Sequence, residues 1–184
     1  MSEKSKLRIV LWRHGQTDWN VENRYQGHSD IPLNKVGQYQ VGHAAKVLAG
    51  MNPSRIIASD LIRAKQTAQA LVDLTGIKME IDADLRETNG GKWEGKTGQQ
   101  NREEDGDRFK QWMFGEDVKA GEIGESRTEV AKRARAAVDR GIAEATGTII
   151  FVTHGGTSRA LLGSILDMPF DKWATLGGLS NASW

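Results

Sequence analysis

The hydrophobic positions of this 184-residue chain alternate between short unbroken runs and helical spacings. Residues 7–11 are apolar apart from Arg8, which predicts a strand buried on both faces. Asn34 then stands as a helix N-cap, with Val36, Tyr39, Ala44, Val47 and Leu48 following at helical spacing to about residue 49. The run 55–59 predicts a second strand, and residues 60–75 a helix closed by Gly76. Residues 78–82 read as a weaker edge strand. Ser126 and Glu129 make an S-x-x-E capping box that opens a helix to about residue 145. The clearest strand is TIIFVT, 148–153, and it runs through His154-Gly155-Gly156 into a helix reaching Leu166. Pro169 opens a last helical turn, and residues 179–184 read as a closing strand cut off at the terminus. Strands alternating with helices predict an α/β sandwich with a mainly parallel sheet.

One segment breaks the rhythm. Residues 88–125 are polar and rich in glycine and charge, with one helix expected around 103–114. Excursions of that length in compact domains are usually functional or mobile. The total length predicts one domain over residues 1–184. A net charge of +1 gives no global attraction to nucleic acid or membrane. The absence of cysteine excludes disulfides, thiolate metal sites and cysteine nucleophiles. The opening residues hold too short an apolar run for a signal peptide or membrane span, so the expected location is cytoplasmic.

In open α/β sheets, ligands bind beyond the carboxyl ends of the strands. The first strand delivers Arg13-His14-Gly15 to that edge. The second delivers Ser59-Asp60, with Arg63 one turn further on, and the clearest strand delivers His154-Gly155-Gly156. Two of the four histidines thus reach equivalent strand ends, each followed by glycine and accompanied by arginine. Two imidazoles and two guanidiniums around one point describe a phosphate site. A neutral imidazole can attack phosphorus in line, with the other groups holding the equatorial oxygens. The departing alkoxide needs an acid. Glu87, where the chain enters the long excursion, is the candidate, with burial and a raised pKa keeping it protonated near neutrality. No metal or cofactor is required by this chemistry.

These residues resemble a known family. Arg13-His14-Gly15 with Thr17 and Asn20, then SDLIRAKQTA (59–68), LRE (85–87), GKWEG (91–95) and THGG (153–156), look like the histidine phosphatase, or RHG, superfamily. The resemblance implies a three-layer α/β/α sandwich with an inserted lid over about residues 88–125. It implies that His14 is phosphorylated, that Glu87 donates the proton, and that Arg13, Arg63 and His154 complete the phosphate pocket. Asn20, Gln26 and the Gly155 amide would be further contacts. A homodimer is implied as well, and the chain looks shorter at its carboxyl end than the family's usual pattern. Mutases of the family carry an aromatic-glycine pair after the acid, where this chain has Thr88, Asn89 and Gly90, so a phosphatase is expected. RYQGHSD (24–30) and residues 173–184 are similar to the glucosyl-3-phosphoglycerate phosphatases of actinobacteria, which implies a small sugar-glycerate phosphate monoester as substrate.

Plainer readings accompany each residue. His28 could reach a substrate or cap a loop, and His43 shares a helix face with Val36 and Val47, as a packed residue would. Glu94, Glu103 and Glu104 are alternative carboxylates to Glu87, and the basic stretch 132–135 is expected to be solvated. Asp82-Ala83-Asp84 has the spacing of a metal-dependent aspartate phosphatase, but the strand before it is poorly apolar. Mutase-type phosphoryl transfer, a broad-specificity acid phosphatase and a phosphate-binding module without turnover remain as alternatives.

Overall fold

The structure, a computed structural model, describes residues 7–143 and 145–184. Residues 1–6, on which the reading of the amino terminus partly rests, lie outside the described residues. Four strands, β1 (Arg8–Arg13), β2 (Pro53–Ala58), β3 (Met79–Ile81) and β4 (Thr148–Thr153), form one sheet in the order β1-β4-β2-β3. Every pairing is parallel, with Arg13 level with Thr153 at the carboxyl edge. β4 is buried along its whole length because it lies between β1 and β2 and is covered on both faces. Parallel strands cannot be joined by tight hairpins, so each crossover carries chain across a face of the sheet.

The helices are α1 (Asp18–Val21), α2 (Lys35–Ala49), α3 (Ile62–Thr75), α4 (Gly98–Glu104), α5 (Gly106–Met113), α6 (Arg127–Ile142) and α7 (Gly155–Ile165). α2 and α3 pack on one face, where Val41, Leu48 and Leu71 meet Trp12, Ile56 and Ile150. α6 and α7 pack on the other, where Val138 and Leu161 meet Ile57, Ile149 and Phe151. The result is the expected three-layer α/β/α sandwich. α6 starts at the expected capping box, with Ser126 accepting from the Glu129 amide, but ends at Ile142, short of residue 145.

Four expectations are corrected. α2 does not bury Val36, Tyr39 and Val47, which are 51%, 67% and 54% exposed; its core face is Gly37, Val41, Ala44, Ala45 and Leu48. The reason is steric: a Cβ on Gly37 would meet the Gln16 carbonyl oxygen at 2.1 Å, so the small residues turn inward to let α2 lie against the loop after β1. His43 accordingly points out to solvent, bonded to the Tyr39 carbonyl. Residues 179–184 form no strand, although the Ala182 amide donates to the His14 carbonyl and the Arg13 amide to the Ser183 carbonyl along the edge of β1. The excursion 88–125 holds two short helices, α4 and α5, rather than one, packed over a small core of Trp93, Phe109, Trp112 and Ala120. Finally, Arg133 in the supposedly solvated basic stretch is drawn in beneath Glu87, as described below. Among the described residues, no helix is long and apolar enough to cross a membrane.

Candidate active site

β1 and β4 end side by side, so their terminal histidines face one another across the sheet edge. The rings of His14 and His154 lie 5.1 Å apart between centroids. Both are buried, at 2% and 0% exposure. Nδ1 of His14 lies 2.7 Å from the Gly15 carbonyl oxygen. A carbonyl can only accept, so Nδ1 carries the proton and Nε2 keeps its lone pair. Burial, reinforced by the charges of Arg63 and Arg13, holds this ring well below its ordinary pKa of 6.5. The ring is therefore neutral at neutral pH, with the Nε2 lone pair free.

His154 has the opposite arrangement. Its Nδ1 accepts from Nε of Arg63 at 3.2 Å, so its proton sits on Nε2. That Nε2 is buried and has no hydrogen-bond partner among the described residues. Burial first, and then the Arg63 charge, lowers this pKa well below 6.5 too. Arg63 is fully buried at the start of α3, and its other nitrogens donate to the carbonyls of Ser29 and Gly27, both at 2.8 Å. With no carboxylate bonded to it, desolvation brings its pKa down to about 10. Arg13 donates one nitrogen to the Leu179 carbonyl, while its buried Nε is unpartnered among the described residues. Buried polar atoms are nearly always bonded, so unpartnered donors on Arg13 and His154, at adjoining strand ends, suit an anionic ligand.

Thr17 organises the next contacts. Its hydroxyl, buried at 0% exposure, lies 3.0 Å from both Asn20 Oδ1 and Gln26 Oε1; Asn20 Oδ1 also accepts from the Thr17 amide at 3.0 Å, which leaves the one hydroxyl proton for Gln26. Tying down both amide oxygens turns the two NH2 groups outward as donors, and both residues line the cleft. The cleft measures about 260 Å³ and includes Arg13, His14, Arg63 and Glu87.

The family model for the histidine phosphatase superfamily (branch 1) matches residues 9–184. The chain belongs to the histidine phosphatase superfamily. This histidine phosphatase is 40% identical to the glucosyl-3-phosphoglycerate phosphatase of Mycobacterium tuberculosis, over 96% of this chain and 83% of that one. It is also 36% identical to a probable phosphoglycerate mutase of Yersinia enterocolitica, over 89% of this chain and 76% of the other. The solved structure of a mycobacterial glucosyl-3-phosphoglycerate phosphatase complexed with VO3 superimposes with a TM-score of 0.90 at 39% identity, covering 96% of this chain and 88% of that one.

Glu87 lies at the rim of the phosphatase's cleft, partly exposed rather than buried as the sequence led one to expect. Its carboxylate accepts from the amides of Thr88, Gly156 and Thr157 at 2.9–3.0 Å. The last two open α7, and a Cβ on Gly156 would sit 2.6 Å from Oε1, so only glycine lets the helix approach. The competing carboxylates are occupied elsewhere. Glu94 accepts from the amides of His28, Ser29 and Gly90, and Glu104 pairs with Lys96. Glu103 accepts from Gln99. His28 points its Nε2 at the Glu87 carbonyl, 2.8 Å away, and caps that loop. Gly155 backs onto the Arg13 guanidinium, and Gly156 rather than Gly155 lines the cleft. Asp82 and Asp84 both bond Arg140 on the surface.

Sequence reasoning passed over several residues. Arg133 donates to the carbonyls of Asp84, Arg86 and Glu87 and to both oxygens of Glu125, at 2.7–2.9 Å. It fixes the backbone that carries Glu87. The outer wall of the cleft, with Arg24, Trp112, Arg127, Arg159 and Trp173, was also missed. These side chains come from five separate segments, and no local motif joins them.

Proposed function

We propose that this histidine phosphatase hydrolyses a small sugar-glycerate phosphate, such as glucosyl-3-phosphoglycerate, through a phosphohistidine at His14. The observation that carries the mechanism is the pairing of opposite tautomers: a bare Nε2 on His14 beside an N–H on His154. His14 Nε2 attacks phosphorus, and the bond to the ester oxygen breaks. Glu87 passes a proton to that oxygen as the alcohol leaves. His154, Arg13, Asn20 and Gln26 donate to the equatorial oxygens, where one such donor is worth roughly 3–4 kcal/mol in the transition state. Arg63 adds positive charge behind them. Water then attacks the phosphohistidine, gives its proton to the Glu87 carboxylate, and releases inorganic phosphate with His14 Nε2 free again. Neither step calls on a metal.

The substrate reading is supported by the 40% identity to the glucosyl-3-phosphoglycerate phosphatase of Mycobacterium tuberculosis and by the basic outer wall of the cleft. Phosphorylated metabolites are too polar to cross membranes unaided, so a substrate of this kind agrees with a cytoplasmic enzyme. The test is release of inorganic phosphate from a panel of phosphomonoesters, including glucosyl-3-phosphoglycerate, without added metal. Preference for the glucosyl ester over a simple aryl phosphate is expected. Equal rates would discard the substrate, and isomerised phosphoglycerate in place of free phosphate would favour mutase chemistry.

A further inference from the structure

The cleft holds more positive charge than a phosphate needs. Five arginines line it, Arg13, Arg24, Arg63, Arg127 and Arg159, against one carboxylate, Glu87. Arg24 is neutralised by Glu22. That leaves four guanidiniums, and Glu87 enters the reaction holding the proton it gives to the leaving group. A phosphomonoester dianion offsets two of these charges, and the positive charge of the outer wall remains.

The surplus lies in the outer wall. Arg127 opens α6, where its nitrogens donate to the carbonyls of Trp112 and Glu116 at 2.7 and 3.3 Å. Its guanidinium carbon sits 4.0 Å above the Trp112 ring. These partners aim the head without cancelling its charge. No acid among the described residues is bonded to it: Asp117 accepts from the Thr128 amide and hydroxyl and acts on Arg127 only through space, Glu125 holds Arg133, and Glu129 holds Lys119. Arg159 lies on α7, and its buried Nε has no hydrogen-bond partner among the described residues. The chain runs closely past it at Gly178, where a Cβ would meet Nη2 at 3.0 Å. The two heads feel one another, since burial and the Arg159 charge both push the Arg127 pKa down. Two cations held together in a partly desolvated wall repel unless an anion joins them.

We propose that Arg127 and Arg159 form a second anion site, beside the phosphate cage, that takes a carboxylate of the substrate. A carboxylate offsets part of that remaining charge, and its planar pair of oxygens fits a guanidinium fork. The inference rests on reading this cleft as that of a phosphatase for glycerate phosphates, and it assigns the part of the ester that selects them.

The test compares 3-phosphoglycerate with glycerol 3-phosphate, the same ester lacking the carboxylate, in wild type, Arg127→Gln, Arg159→Gln and Arg159→Lys. The readout is the ratio of the two kcat/KM values within each protein, so partial loss of folded enzyme cancels. The ratio should fall about tenfold or more in either glutamine variant, mainly through KM for 3-phosphoglycerate, and recover in part with lysine. An unchanged ratio, or both esters losing alike, overturns the site. Glycerol bisphosphate responding more strongly than 3-phosphoglycerate would make it a site for a second phosphoryl group and overturn the carboxylate. No glucosyl compound enters the ratio. Poor turnover of glucosyl-3-phosphoglycerate beside a collapsed ratio therefore supports this site while discarding the sugar, and brisk turnover beside a flat ratio does the reverse.

Discussion

Nε of Arg63 donates to Nδ1 of His154 across 3.2 Å, and that bond decides which nitrogen of His154 carries its proton. The partner of His14 Nδ1 is an acceptor, so the two rings, 5.1 Å apart, are protonated on opposite nitrogens. Nitrogen-15 spectra of the free enzyme at neutral pH should show one neutral ring with its proton on Nδ1 and another with it on Nε2. Arg63→Lys should scramble the second and cut kcat by roughly 10²–10³, the cost of losing one aligned donor. Wild-type turnover in that variant would show that His154 needs no such orientation.

Both rings also couple folding to pH. Burial and the neighbouring arginines hold His14 and His154 below their ordinary 6.5. In the unfolded chain each ring takes up a proton as pH falls through 6.5, whereas in the folded protein each stays neutral until a lower pH. The unfolded state then binds more protons, so stability is full above that value and declines below it. The slope is at most about 1.4 kcal/mol per pH unit for each ring. Half-buried His28, also shifted down, adds in the same direction. Urea midpoints compared at about pH 7.5 and about pH 5.5 should differ accordingly. A midpoint that does not move would mean that the rings already carry protons in the fold.

The gathering of Arg13, His14, Arg63 and His154 was legible in the sequence because each sits at an apolar strand's end or in the first turn of the helix that follows one. Parallel pairing of β1 with β4 then brings Arg13 and His14 level with Thr153 and His154 without further information. Glu87 was legible as a residue but not in its setting, because its donors come from α7, some 70 residues away. α2 misled for a different reason. It has apolar residues on two faces, and periodicity alone cannot tell that Gly37, not Val36, must meet the loop at Gln16. Arg133 reads as one cation among several until the Asp84–Glu87 carbonyls are seen to converge on it.

Glu87→Gln separates proton donation from positioning. The amide keeps the shape but brings an NH2 group to a place where the Gly156 and Thr157 amides already donate. It also has no proton to give. Turnover of alkyl phosphates, whose alkoxide needs that proton, should fall by about 10²–10⁴. An aryl phosphate with an acidic phenol leaves more easily and should lose much less in the first step. A burst of phenol followed by slow phosphate release is expected, since the same carboxylate activates water in the second step. Equal losses on both esters, with no burst, would take Glu87 out of the proton-transfer role.

Arg133 positions Glu87 without touching the substrate. Its side chain is 16% exposed, and it bridges three backbone carbonyls to the Glu125 carboxylate, 23% exposed. Lysine keeps the charge but has one nitrogen for five acceptors, so Arg133→Lys loses hydrogen bonds, although His28 and Thr157 still hold the Glu87 and Arg86 carbonyls. The expected cost is about 2–4 kcal/mol, from roughly two lost bonds to a charged group. For a chain of this size that lowers Tm by on the order of 5–15 °C. The loop carrying Glu87 loosens while the phosphate cage, built on other strand ends, stays in place. kcat should therefore fall by about tenfold or more, with little change in KM for aryl phosphate or in inhibition by inorganic phosphate. Weakened phosphate inhibition would show that Arg133 supports the cage itself and not the acid alone.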